Sequence, residues 1–194
     1  MKSVKNITQS TLMIKKSQFI TTLIPCNDPS QINQLIQKYR ADDATHNCVA
    51  YIVGGSIKAD DDGEPSGTAG LPMLNVLERQ ELSNIIVIVT RYFGGIKLGA
   101  GGLTRAYSNA VVQALDEAEI VEKTLVKKYQ IALDYHFTKK AEYLMRIMDV
   151  KLIATTYDEK AHYTLYIKDP AFLEQLKELT SNQFYCQEIG EDYI

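Results

Sequence analysis

Residue types able to do chemistry concentrate in three stretches of the chain. They are Ala44-Thr45-His46-Asn47-Cys48, then Asp60-Asp61-Asp62-Gly63-Glu64-Pro65-Ser66-Gly67-Thr68-Ala69-Gly70, then Thr90 to Arg105. The third is the most informative. Five of the eleven glycines fall between Gly94 and Gly102. Glycine removes the Cβ and lets backbone N–H groups approach a ligand. A helix beginning just after such a loop adds partial positive charge. Arg91, Lys97 and Arg105 add full charges. A phosphate, a carboxylate or a nucleic-acid backbone is the guest that this chemistry suits. The candidate anion-binding set is therefore Arg91, Tyr92, Gly94, Gly95, Lys97, Gly99 and Arg105, with Tyr92 or Phe93 available to stack on a base. A long turn needing positive φ angles would explain the glycines but not the flanking cations.

The named nucleotide loops do not fit. Gly94 and Gly99 have the Walker spacing, but Ala100 follows where a lysine is needed. Gly99 and Gly101 are followed by Thr104, which breaks the dinucleotide fingerprint. In the acidic stretch an EF-hand fails, because Gly63 at its sixth position would put Lys58 first and Ala69 twelfth. No metal-ligand set and no cofactor motif is legible, and no catalytic residue is assigned. Asp60 and Asp61 read as a solvated turn. Asp62 and Glu64 lead into a helix start that Ser66 or Thr68 would cap. His46 and Cys48 are two apart on an apolar strand, so they share a face. Cys48 reads as core and His46 as a polar site residue at the strand end. The additional site candidates are thus His46, Asp62, Glu64, Ser66 and Thr68.

The elements that must position these residues fall into two halves. The first reads β-β-α-β, with strands at 8–15 and 18–25 and a helix capped by Asp28 with Pro29 at its first position. Cys48–Val53 and Ile85–Val89 are continuous apolar runs, as strands buried on both faces should be. Between them lie a polar loop from Gly54 to Gly67 and a helix at 72–81. A last helix carries Leu103, Ala106, Tyr107, Ala110, Val111, Ala114, Leu115 and Ala118 on one stripe. After a charge-rich stretch the order becomes strand 125–135, helix 138–148, strand 151–158, strand 161–168, helix 170–179 and strand 184–194. That is the βαββαβ, ferredoxin-like pattern. The boundary is placed near residue 121, giving an α+β chain with domains 1–121 and 122–194. The second half is rich in tyrosine, with Tyr157, Tyr163, Tyr166 and Tyr185 read as exposed, although strand tyrosines more often serve packing.

Composition sets outer limits. The chain has 194 residues, 45% hydrophobic and 23% charged, enough for a core without disulfides. Its three cysteines, Cys26, Cys48 and Cys186, are scattered and form no CxxC pair. This argues against structural zinc and against a secreted disulfide framework. No apolar run approaches a membrane span, and Met1–Gln9 lacks the apolar core of a signal peptide, so a cytoplasmic protein is expected. A net charge of −3 excludes a generally basic nucleic-acid binder but not one local basic contact.

Five motifs stand out: Lys16-Ser17-Gln18-Phe19-Ile20, Ala44-Thr45-His46-Asn47-Cys48-Val49-Ala50-Tyr51, Asp61 to Gly70, Arg91 to Gly99, and Gly101-Gly102-Leu103-Thr104-Arg105-Ala106-Tyr107-Ser108. They resemble the IMPACT family, and in particular its bacterial YigZ/YvyE-type members. Together they span most of residues 16–115. Gln18 departs from the pattern, since the family often has arginine there. The resemblance implies a first domain like the βαβ fold shared by a small-subunit ribosomal protein and domain IV of the translocase elongation factor. It implies a second domain like domain V of that factor. Eukaryotic members regulate translation through a scaffold that activates an initiation-factor kinase. For a bacterial-type chain the implied role is translation-linked, with the ribosome, RNA or a translation-related protein as partner. The leading expectation is a non-enzymatic binding protein that contacts RNA, the ribosome or an acidic partner through the Arg91–Arg105 loop. The alternative is an enzyme acting on a small anionic or phosphorylated substrate at His46, Asp62, Glu64 and Arg91. A third reading makes the loop purely structural.

Overall fold

The computed structural model describes residues 1–194. The fold is α+β and divides into two compact units, Met1–Lys123 and Thr124–Ile194. In the first, β2 (Thr8–Ile14), β3 (Ser17–Pro25), β4 (His46–Val53), β5 (Ser56–Asp60) and β6 (Ile85–Tyr92) form one five-stranded sheet. Its order is β2-β3-β6-β4-β5, and every pairing is antiparallel. The short β1 (Lys2–Val4) pairs with β7 (Ile120–Glu122) in a separate ribbon.

Both faces of this sheet are covered, as the continuous apolar runs require. On one face, α2 (Gly70–Arg79) and α3 (Ala100–Glu117) enclose Phe19, Leu23, Cys48, Ala50, Val87 and Val89. The buried stripe of α3 runs Leu103, Ala106, Tyr107, Ala110, Val111, Ala114, Leu115, as the spacing predicts. On the other face, the short α1 (Ile32–Tyr39) covers Ile24, Val49, Val53, Ile86 and Ile88. Asp28 accepts the Ser30 amide at 2.9 Å, and Pro29 opens a 3₁₀ turn leading into α1.

Two features correct the sequence reading of this unit. The supposed polar loop 54–67 contains β5, joined to β4 by a Gly54–Gly55 turn with φ of +53° and +83°. β5 is an edge strand and almost wholly exposed, so it lacks an apolar alternation; the Gly-Gly pair after an apolar strand was its signal. In addition, β6 extends to Tyr92, which takes Arg91 and Tyr92 out of the glycine loop and into the sheet.

The second unit is βαββαβ. Its elements are β8 (Leu125–Leu133), α4 (Thr138–Ile147), β9 (Lys151–Tyr157), β10 (Ala161–Ile167), α5 (Ala171–Leu179) and β11 (Phe184–Tyr193). The antiparallel order β11-β8-β10-β9 is ferredoxin-like. Ile131, Leu133, Leu144, Met145, Leu165 and Phe172 form its core. Tyr163, read as exposed, belongs to that core at 1% exposure and donates to Glu142 at 2.8 Å. Tyr157 and Tyr185 do face solvent. No helix is long and apolar enough to cross a membrane.

The first unit closes after β7, because Lys2, Ser3 and Val4 pair with Glu122, Val121 and Ile120. Its core is separate from that of the second unit. A chain ending at Lys123 is therefore expected to keep its secondary structure and a cooperative melt by circular dichroism. A non-cooperative melt of that fragment would show that its stability depends on residues 124–194.

Candidate functional site

The strand register builds the floor of the site. Antiparallel pairing sets Phe19 and His46 directly opposite Arg91, one on each side. Directly opposed residues project to the same face, here the face that α2 and α3 cover. Arg91 is the last of a row with Val87 and Val89 and is only 5% exposed. It is thus a buried strand residue rather than a loop cation.

Its charge is met by Glu64. Arg91 Nη1 donates to Glu64 Oε1, and the side chains are 6% and 3% exposed. Tyr107, from α3, donates its hydroxyl to the same oxygen at 2.8 Å. The guanidinium lies over the rings of Phe19 and Phe93, 5.4 Å from each centroid. Its Nη2 reaches Ser17 Oγ at 3.5 Å, while the buried Nε has no hydrogen-bond partner.

Behind Glu64 the network continues inward. Cys48 Sγ donates to the Asp61 carbonyl at 3.1 Å and lies 3.3 Å from Tyr107 Oη. Burial pushes the Cys48 thiol up to about 12, and the carboxylates of Glu64, Asp62 and Asp61 push the same way. Burial, then the neighbouring Cys48 and Glu64, hold the Tyr107 phenol well above its ordinary value. Both stay protonated near neutral pH and act as fixed donors, so Cys48 is no nucleophile.

His46 faces the same pocket. Its Nδ1 lies 2.8 Å from the Asp62 carbonyl oxygen, which can only accept, so Nδ1 carries the proton. That leaves Nε2 turned toward Glu64 Oε2 at 3.8 Å.

The acidic stretch folds over this floor through Asp61. Its carboxylate accepts the amides of Gly67, Ala69 and Gly70 at 2.7, 3.0 and 2.8 Å. Asp61 thus organises the start of α2, the role the sequence reading gave to Ser66 or Thr68, and it is no solvated bystander. Thr68 instead donates to the Pro65 carbonyl at 2.6 Å, and Ser66 is exposed. Gly70 admits no side chain, because a Cβ would lie 2.4 Å from the Asp60 nitrogen.

The glycine loop forms the other wall. Gly95 and Gly99 have φ of +84° and +75°, the left-handed region that glycine adopts freely. Gly99 is the N-cap of α3 and supplies no side-chain cap, so the first amides of that helix have no side-chain partner. Lys97 is exposed and has no carboxylate partner.

Between these walls lies a cavity of about 400 Å³. His46, Glu64, Arg91, Lys97 and Gly99 meet there, with Phe93, Pro65, Leu98 and Leu103 as apolar walls. The other candidates lie elsewhere. Tyr92 donates to Asp43 at 2.9 Å and does not line the cavity. Asp62 turns its carboxylate away to accept the Asn47 amide at 2.6 Å. Arg105 is exposed on α3, its Nε donating to the Gly101 carbonyl at 3.1 Å. Gly94 and Gly95 shape the loop without lining the cavity. Ser17, Phe19, Asp61 and Tyr107 were missed as site residues.

Comparison with known proteins agrees with the motifs. A model of the Impact N-terminal domain matches residues 15–115. The IMPACT family member YvyE of Bacillus subtilis (strain 168) is 40% identical over 200 residues, covering 99% of this chain and 92% of that protein. The family member YigZ of Escherichia coli (strain K12) is 39% identical over 151 residues, 74% of each chain. Among solved structures, a crystal structure of a hypothetical protein superimposes with a TM-score of 0.70 at 32% identity, covering 98% of both chains.

Proposed function

The chain belongs to the IMPACT family, and on that premise we propose that it is a non-enzymatic binding protein linked to translation or its stress regulation, contacting RNA on the ribosome through the glycine loop. Membership of the family supports the link to translation, and the charge of the site supports the contact. One observation carries the reading. The sole carboxylate lining the cavity, Glu64, is already neutralised by Arg91, while Lys97 and the uncapped start of α3 remain uncommitted. The net local charge offered to a guest is therefore positive, although the whole chain carries −3. A single narrow contact with phosphate suits that balance better than a broad basic surface does.

The enzymatic alternative finds less support. Asp62 is bound to a backbone amide, Glu64 is held by Arg91 and Tyr107, and Cys48 is a buried thiol. His46 Nε2 and Glu64 Oε2 face each other at 3.8 Å, with no activated nucleophile beside them.

The test is co-sedimentation with ribosomes at low and moderate salt, comparing the native chain with Lys97→Ala. Binding should fall steeply with salt. Lys97→Ala should weaken it about tenfold, the worth of one charged hydrogen bond, with an unchanged melting temperature. Absence of binding at any salt would overturn the reading. Turnover of a phosphorylated metabolite without RNA would replace it with the enzymatic one.

A further inference from the structure

We propose that the cavity beneath the glycine loop takes one whole nucleotide unit, base included, and not merely a phosphate. The proposal deepens the RNA reading above and rests on it. Three observations carry it.

The first is size and wall chemistry. About 400 Å³ falls within the roughly 300–1,000 Å³ of small-molecule sites and exceeds what a lone phosphate fills. Pro65, Phe93, Leu98 and Leu103 give it apolar walls that a phosphate alone would leave in contact with water. Phe93 lines the cavity and is 45% exposed, which leaves ring surface on which a base can stack.

The second is a partnerless donor and a ring nitrogen at the floor. Arg91 is buried, lines the cavity, and has a partnerless Nε–H. A buried donor without a partner is uncommon and costly, and a shift of the guanidinium toward a ligand acceptor would satisfy it. His46 lines the cavity with Nε2 3.8 Å from Glu64 Oε2, too far for a hydrogen bond. Nε2 is an acceptor while the ring is neutral, because Nδ1 is held by the Asp62 carbonyl. A donor beside an acceptor is the pattern that reads the polar edge of a base.

The third is positive charge along the cavity wall. Lys97 and the uncapped first turn of α3, through Gly99 and Ala100, lie on its wall. They offer a positive pole for the phosphate that the base carries.

The same chemistry is available from a free nucleotide or from a nucleotide splayed out of single-stranded RNA. The experiment titrates the full chain with each of the four nucleoside 5′-monophosphates, with inorganic phosphate and with a short single-stranded RNA. Native protein is compared with Phe93→Ala and Phe93→Tyr, following amide chemical shifts and melting temperature. At least one nucleotide should bind tenfold or more tightly than phosphate. Phe93→Ala should lose roughly tenfold for nucleotide and RNA alike, the range of one lost stacking contact. Phe93→Tyr should restore binding, and phosphate affinity should ignore both changes. Nucleotides binding no better than phosphate would overturn the proposal. RNA affinity unchanged in Phe93→Ala would overturn it too, while leaving the RNA reading standing. Nucleotide binding with no affinity for RNA would uphold the cavity and remove the RNA reading.

Discussion

Arg91→Ala is expected to destabilise the first unit by about 3–5 kcal/mol, the usual cost of leaving one member of a buried ion pair behind. The variant removes the charged partner of the Glu64 carboxylate, which is 3% exposed in the native fold. Tyr107 still donates to Oε1, but a neutral hydroxyl does not offset a full charge out of water. For a unit of this size the loss corresponds to a fall in melting temperature of more than about 10 °C. It is a large part of the roughly 5–15 kcal/mol that a domain possesses.

The double variant Glu64→Leu/Arg91→Met should be much less damaged than Arg91→Ala, because no charge remains buried. Calorimetry on the two single variants and the double one closes the cycle. Additive losses would show that the pair is not coupled, and an Arg91→Ala protein melting like the native one would show that it is not buried. The consequence for function is practical. A binding loss in Arg91→Ala cannot be separated from a loss of fold, so Lys97 and Phe93 are the residues whose substitution reports on the ligand.

The same residue marks where sequence reading succeeds and where it stops. Period-two alternation in Val87, Val89 and Arg91 already places Arg91 on the helix-covered face. The glycines that follow it pull the eye toward a loop instead. The apolar runs of β4 and β6, the stripe of α3 and the βαββαβ order were legible because each is a repeated local pattern. The network of Glu64, Arg91 and Tyr107 was not, because its members come from a loop, a strand and a helix with no common spacing. Tyr107 was read correctly as a packing residue, yet its hydroxyl has a second duty that no periodicity encodes. Asp61 was misjudged for a related reason. Three consecutive aspartates look alike in sequence, and only the fold gives one of them three amides.

Gly94→Ala should be the most damaging of the conservative substitutions in the glycine loop, while Gly101→Ala should be harmless or stabilising. A Cβ on Gly94 would lie 2.0 Å from the carbonyl carbon of Lys16, 2.1 Å from its oxygen and 2.4 Å from the Ser17 nitrogen. All three are backbone atoms, so no rotamer change can relieve the clash. The overpacking cost of roughly 1–3 kcal/mol in cores is therefore a lower guide. Gly94 also donates its amide to Ser17 Oγ at 3.1 Å, which ties the loop to the start of β3. The Lys15–Lys16 turn it rests on is itself left-handed at both residues, φ +46° and +67°, so it has little freedom to retreat. Gly101 has open space around its Cβ position and sits in the first turn of α3. Alanine there should add up to about 1 kcal/mol through helix propensity. Thermal melts of the two variants measure the contrast directly, and equal melting temperatures would mean that the loop and the Lys15–Lys16 turn separate freely. If they stay joined, the loop is a fixed wall rather than a flexible lid. Gly94→Ala should then weaken RNA binding together with stability, whereas Gly101→Ala should leave the affinity as it was.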